Sequence, residues 1–145
     1  MLLPTVVADA ETSAVYGDII LYYAGGIAAE NYGTISNCDV PVQDCAIAGS
    51  GFVGGVVGRN YSSGVILNCV VTIKGGQHIG GYAMVGGIAG FNEQGQITNC
   101  HVYMGSTNDD IVGGGSTSAN MAGSAQTGAY VGGVVGANDR GTISR

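Results

Sequence analysis

The chain has 145 residues, 28 of them Gly, and carries ten acidic and four basic side chains for a net charge of −6. A hydrophobic fraction of 46% is too apolar for a disordered chain, and so much Gly is incompatible with a helical domain, where each interior Gly costs about 1 kcal/mol. Four Lys and Arg residues exclude a nucleic-acid partner, whose phosphates need clustered cations, and no apolar run approaches the roughly 18 residues of a membrane-crossing helix.

Residues 1–22 are expected to form an N-terminal cap or edge strand. The opening MLLPTVVADAE lacks a basic leader, and Asp9 and Glu11 interrupt its apolar stretch, so no ordinary export signal is legible. Either the chain is not exported by that route or it is a piece of a longer precursor. Only VYGDIILYY (15–23) has strand character here, suited to capping the fold or to pairing with a neighbour.

From residue 23 onward the chain repeats itself. YAGGIAAENYGTISNCDV (23–40), FVGGVVGRNYSSGVILNCVV (52–71), MVGGIAGFNEQGQITNCHV (84–102) and YVGGVVGANDRGTISR (130–145) share one frame. It runs from a large side chain through Gly-Gly, a β-branched residue and Asn to a Gly turn and G-x-I-x-N-C-x-V. Short, β-branched, Gly-punctuated segments with no 3.6 periodicity are strands. Each repeat therefore predicts strand, corner, strand, corner and a more variable third strand, which includes Ala46-Ile47 in the first copy and Val71-Thr72-Ile73 in the second. A unit of this size cannot bury its apolar face alone but can when stacked on its copies. The expected fold is all-β: a parallel β-helix, or β-solenoid, of about four coils, one per repeat, with a single domain over 23–145 and a last coil left incomplete at Arg145. Four coils at the strand spacing give a rod only about 20 Å tall.

Stacking assigns roles to the repeated letters. Ile35, Ile66, Ile97 and Ile143 are expected to form one internal column, and Ile27, Val56, Ile88 and Val134 another. Asn37, Asn68 and Asn99 fall where the strand must bend, since Asn tolerates the left-handed backbone region. The Gly pairs suit a tight corner or close backbone approach. Cys38, Cys69 and Cys100 are locked to the repeat and have no C-x₂-C spacing, so they predict a buried column of thiols rather than zinc. Cys45 lies outside the frame, and a disulfide to Cys38 stays open.

Between the third and fourth copies, GSTNDDIVGGGSTSANMAGSAQTGA (105–129) predicts a loop inserted at a coil corner, either a binding element or a plain flexible connection. It holds the one adjacent acidic pair, Asp109 and Asp110, a weak calcium candidate beside the simpler reading as a solvated acidic loop. His78 and His101 are isolated and read as surface residues. Tyr23, Phe52, Met84 and Tyr130, one before each Gly pair, read as a partly buried edge of the core, with a stacking stripe for sugars or a partner as the alternative. No nucleophile elbow, phosphate loop or metalloprotease motif occurs, so no catalytic residue and no cofactor are expected.

VGGVVGRN, MVGGIAGFN and YVGGVVGAN, with G-x-I-x-N-C following, resemble the GLUG motif repeat. That resemblance extends over about 23–145 and implies an extracellular or cell-surface module, since GLUG repeats occur in tandem in large bacterial surface and secreted proteins, adhesin-like chains among them. The family supplies no catalytic residue to carry over. Together these readings predict a non-catalytic, adhesin-like rigid scaffold or spacer whose corner loops meet a host or surface glycan or protein. The unfinished fourth copy suggests an alternative, a filament subunit stacking end to end on itself. A β-helix enzyme acting on polysaccharide is the least favoured reading.

Overall fold

The computed structural model describes residues 22–113 and 130–145, together with the backbone of three short strands at Val7–Ala8, Ser13–Val15 and Asp18–Ile20. The described residues contain strands and no helix. The chain winds into a parallel β-solenoid in which equivalent strands of successive repeats lie side by side.

Five columns of strands make its walls. The first stacks Tyr23–Gly25, Phe52–Gly54, Met84–Gly86 and Tyr130–Gly132. The second stacks Ala28–Asn31, Val57–Asn60, Ala89–Glu93 and Val135–Asp139, and the third Thr34–Ser36, Val65–Leu67, Gln96–Thr98 and Thr142–Ser144. The fourth holds Asp39–Val42, Val70–Ile73 and His101–Met104, and the fifth Ile47–Ala48, His78–Gly81 and Asp110–Gly113.

Two expectations need correction. A full coil has five strands, not three: Ile47–Ala48 and Val70–Ile73, read above as equivalent third strands, belong to different columns. The inserted loop does not begin at 105 either, because Asp110–Gly113 pairs with His78–Gly81 as the fifth strand of the third coil. The remainder of that segment, 114–129, lies outside the described residues. At the other end, the strand on the first coil is Val7–Ala8, antiparallel to Tyr23–Gly25, while Ser13–Val15 and Asp18–Ile20 pair with each other.

The core is a set of apolar columns. Ile66 pairs in register with Ile35 and Ile97, and Ile97 with Ile143. Val56 and Ile88 are fully buried beside them, with Ile27 and Val134 packed against the same cluster. The inner coils are dry: Ile66, Ile79, Ile88 and Val71 have no exposed surface, whereas Ile143 on the last coil is 46% exposed. Burying each such side chain contributes roughly 1.5–3 kcal/mol, which makes the columns the main stabilising element.

The Gly pairs serve close approach rather than unusual backbone angles. A Cβ on Gly55 would sit 2.1 Å from the Gly87 carbonyl oxygen of the next coil, and one on Gly54 at 2.1 Å from the Val57 carbonyl of its own. No larger residue fits either place without moving backbone.

Candidate functional site

The repeated Asn, Cys and Gly residues lie where three of the corners turn. Asn37, Asn68 and Asn99 all adopt left-handed backbone, with φ of 55°, 53° and 50°. Their side chains form an exposed ladder, Asn99 Nδ2 donating to Asn68 Oδ1 at 2.7 Å and Asn68 Nδ2 to Asn37 Oδ1 at 3.1 Å. The reversal there resets the in–out alternation, so that Ile35 and Cys38 both pack on the core.

The three thiols follow. Cys69 is fully buried, Cys38 and Cys100 half-buried, and each Sγ–H donates to the carbonyl two residues earlier, at 3.3–3.4 Å. A hydrogen bond between Cys69 and Cys100 and the burial of the pair push the Cys69 thiol up, and the same bond lowers Cys100 to about 7. Burial beside Cys69 also raises Cys38. All four cysteines are free, the exposed Cys45 included, so the open question of a Cys38–Cys45 disulfide is answered in the negative.

A second asparagine ladder had no assigned role in the sequence. Asn31 and Asn60 end their second-column strands, and Asn92 and Asn138 stand one residue before the end of theirs; the first three are buried and Asn138 is exposed. Asn31 Nδ2 donates to Asn60 Oδ1, Asn60 Nδ2 to Asn92 Oδ1 and Asn92 Nδ2 to Asn138 Oδ1, each at 2.8 Å. Each Nδ2 of the last three also donates to the carbonyl of its own corner glycine, Gly64, Gly95 or Gly141. The turn glycine of the frame is thereby explained: a Cβ on Gly95 would stand 2.2 Å from Asn60 Nδ2, whereas one on Gly33 in the first coil would meet nothing.

The acidic pair does not converge. Asp109 is buried, and its two oxygens accept from the backbone N–H groups of Gly76 and Ser106. Desolvation opposes its charge, but these amide bonds outweigh it and hold the carboxyl below its ordinary range. Asp110 is exposed and lies in register with His78 on the neighbouring strand, a pairing the sequence did not suggest. His101 lies in register with Val70, which separates it from Asp39, and approaches Asn99 Oδ1 at 3.3 Å. Among the described residues no three His, Cys, Asp or Glu side chains gather as a metal site.

What the fold does gather is aromatic. The chain has eight Tyr and two Phe, and seven of these ten line one lateral face made by the first two columns and the corner beyond. Tyr23, Phe52 and Tyr130 occupy the first column with Met84 between them. Tyr22 packs edge-on against Tyr23, at 4.8 Å between ring centroids, and Phe52 packs on Phe91 of the second column at 5.4 Å. At the corner Tyr32 lies flat on Tyr61, 4.1 Å apart and 12° from parallel.

Arg59 is at the centre. Its guanidinium stands 4.3 Å from the Tyr61 ring and 5.6 Å from Phe91, pairs with Glu93, and donates to the Tyr23 hydroxyl at 3.3 Å. The Tyr61 hydroxyl donates to Glu30. Burial and that bond push the hydroxyl's pKa up, so Tyr61 stays neutral across the accessible range. Half-buried Tyr23, Phe52 and Met84 therefore serve as an edge of the core and as the floor of an aromatic surface at once.

Residues 81–102, which hold the third Gly pair and its Asn-Cys, match the family model described as the GLUG motif. No curated protein and no solved structure matches the chain.

Proposed function

We propose that this chain is a non-catalytic extracellular or cell-surface repeat module, a short rigid scaffold that presents its lateral faces and corners to a binding partner. The observation that carries the reading is the in-register stacking of identical residues over four coils, with two asparagine ladders and continuous apolar columns. Such a stack resists bending and holds its outer side chains in fixed rows. The GLUG match over 81–102 supports a surface location, since that motif is known from extracellular repeat proteins. Two of the carboxylates support a non-catalytic role: Asp109 gives both oxygens to backbone amides, and Glu93 gives one to Arg59.

Protease shaving of intact source cells tests the location: peptides from 23–145 in the shaved fraction are expected, and their confinement to the cell interior would count against it. Incubation with soluble polysaccharides tests the absence of chemistry, and release of shorter sugars would revive the enzyme reading.

A second reading rests on a separate observation. Among the described residues, nothing pairs with the far edge of the fourth coil, and Tyr130, Val131 and Ile143 there are exposed. Unpaired strand edges invite further strands, whether from a longer chain or from a second copy, and a filament of copies stacked end to end is the alternative. Strictly monomeric protein in light scattering at high concentration would remove it.

A further inference from the structure

The lateral aromatic face has a composition that selects among partners. Its exposed rings, Tyr22 at 47% and Tyr32 at 58%, belong to a surface whose polar groups are already fixed in position. Arg59 is held by Glu93 and Tyr23, and Glu30 holds Tyr61. Each carboxylate spends one oxygen on this network, Oε2 of Glu93 and Oε1 of Glu30. Among the described residues the second oxygen of each has no donor, which leaves two acceptors free beside the rings.

Charge and desolvation narrow the choice further. The cores of protein interfaces are depleted in Glu and Asp, because burying a carboxylate under a partner is costly. Here Glu30 and Glu93 lie at the centre of the patch, where a protein would have to desolvate both. A sugar chain displaces that water too but replaces its hydrogen bonds, since its hydroxyls donate to carboxylates while its C–H faces lie on aromatic rings. An anionic glycan is disfavoured by the chain's net charge of −6 and by the two free carboxylate oxygens.

We propose that this face binds a neutral glycan chain, with sugar faces stacked on Tyr32 and Tyr22 and sugar hydroxyls donating to Glu30 and Glu93. The assignment rests on the scaffold reading above and adds the ligand class and the residues that meet it. The rings are held by mutual packing and by stacked strands, so little side-chain freedom is lost on binding.

The chain has no Trp, so its emission comes from eight Tyr, five of which lie on this face. The experiment titrates the full chain with dextran, mannan, galactan and a soluble β-glucan, with polygalacturonate as the anionic counterpart. Saturable binding of at least one neutral polymer is expected. Tyr32→Ala should weaken it about five- to tenfold, the range of one stacked ring. Glu30→Gln should weaken it as well, while Tyr103→Ala, which removes an exposed ring from the fourth column, should leave it unchanged.

The proposal is overturned if no neutral polymer binds, if polygalacturonate binds most tightly, or if Tyr32→Ala and Tyr103→Ala behave alike. A dimer that dissociates on Tyr32→Ala would identify the face as a contact between copies and overturn it too. Circular dichroism on the same samples separates the two readings. Lost binding by an intact β fold strikes the ligand assignment alone, whereas a chain without β structure strikes the scaffold itself.

Discussion

The two asparagine ladders are made of the same side chain, repeat once per coil and use the same amide-to-amide bond, yet they do different work. The inner one, Asn31 to Asn138, has ordinary strand backbone and is buried over the three rungs Asn31, Asn60 and Asn92. The outer one, Asn37 to Asn99, has left-handed backbone and stands in water. Their polarities are opposed: inner amides donate toward the C-terminal coil and outer amides toward the N-terminal one. In the inner ladder the side chain is chosen for its hydrogen bonds, which a dry corner must satisfy; in the outer it is chosen for its backbone. Water can replace the outer bonds and cannot reach the inner ones.

Removing one inner rung should therefore have the largest effect. Asn60→Ala strips Asn92 Oδ1 of its donor and Asn31 Nδ2 of its short acceptor in a buried corner, while the Gly64 carbonyl keeps the Gln96 amide. Each group left unsatisfied costs about 1–3 kcal/mol, so a loss of about 3 kcal/mol is expected in urea unfolding. A result under about 1 kcal/mol would mean that water enters the corner, and the contrast between the ladders would collapse.

The glycine next to that ladder gives a matched pair. Gly95 and Gly33 hold the same frame position, but only Gly95 has an asparagine amide from the coil below against its face. Gly95→Ala should cost about 2–3 kcal/mol through overpacking, and Gly33→Ala should stay within about 0.5 kcal/mol. Equal losses would show that the glycine is kept for the turn itself and not for the amide beneath it.

At the outer ladder the expected numbers are smaller and depend on the substitute. Asn68→Ala places a Cβ-bearing residue without local hydrogen bonds at φ 53°, which costs about 1 kcal/mol. Asn68→Gly removes the same exposed bonds but relieves the backbone, so it should be near neutral. If Gly proves as costly as Ala, the side-chain ladder and not the backbone is what matters there.

Much of this was legible in the letters. The Ile35–Ile66–Ile97–Ile143 register and the bend at Asn37, Asn68 and Asn99 follow from a frame with fixed spacing, because in-register stacking puts like on like. The fifth strand was missed because its three copies share little beyond one Ile, at 47, 79 and 111. That regular interval was the available signal, hidden by the assumption that the insert began at 105. The inner ladder was visible as a repeated Asn but not as a bonded column, since nothing local says which way a side chain turns at a corner. The aromatic face was legible only in part. Tyr23, Phe52 and Tyr130 share one frame position, but Phe91, Tyr32 and Tyr61 come from others, and only the winding of the coil brings them to Arg59.

The last contrast sets the repeat frame against Asp109, the one buried carboxylate among the described residues. Asp109 holds the turn at Ser106 to the neighbouring Gly76 by accepting both backbone amides. Its folded pKa lies below the ordinary 3.8. A depressed carboxylate contributes stability that is complete above its unfolded value and is lost as the pH falls through the folded one. The amides of Gly76 and Ser106 should therefore remain protected from hydrogen exchange at pH 5 and open on acidification below about pH 4. Neither asparagine ladder titrates, so the amides along the second and third columns should keep their protection over the same range. If Ser106 and Gly76 open together with those columns, the turn is part of one cooperative stack. If they open first, the turn that leads into the variable fifth strand opens independently of the stack, and it is held by a single charge that the frame does not encode.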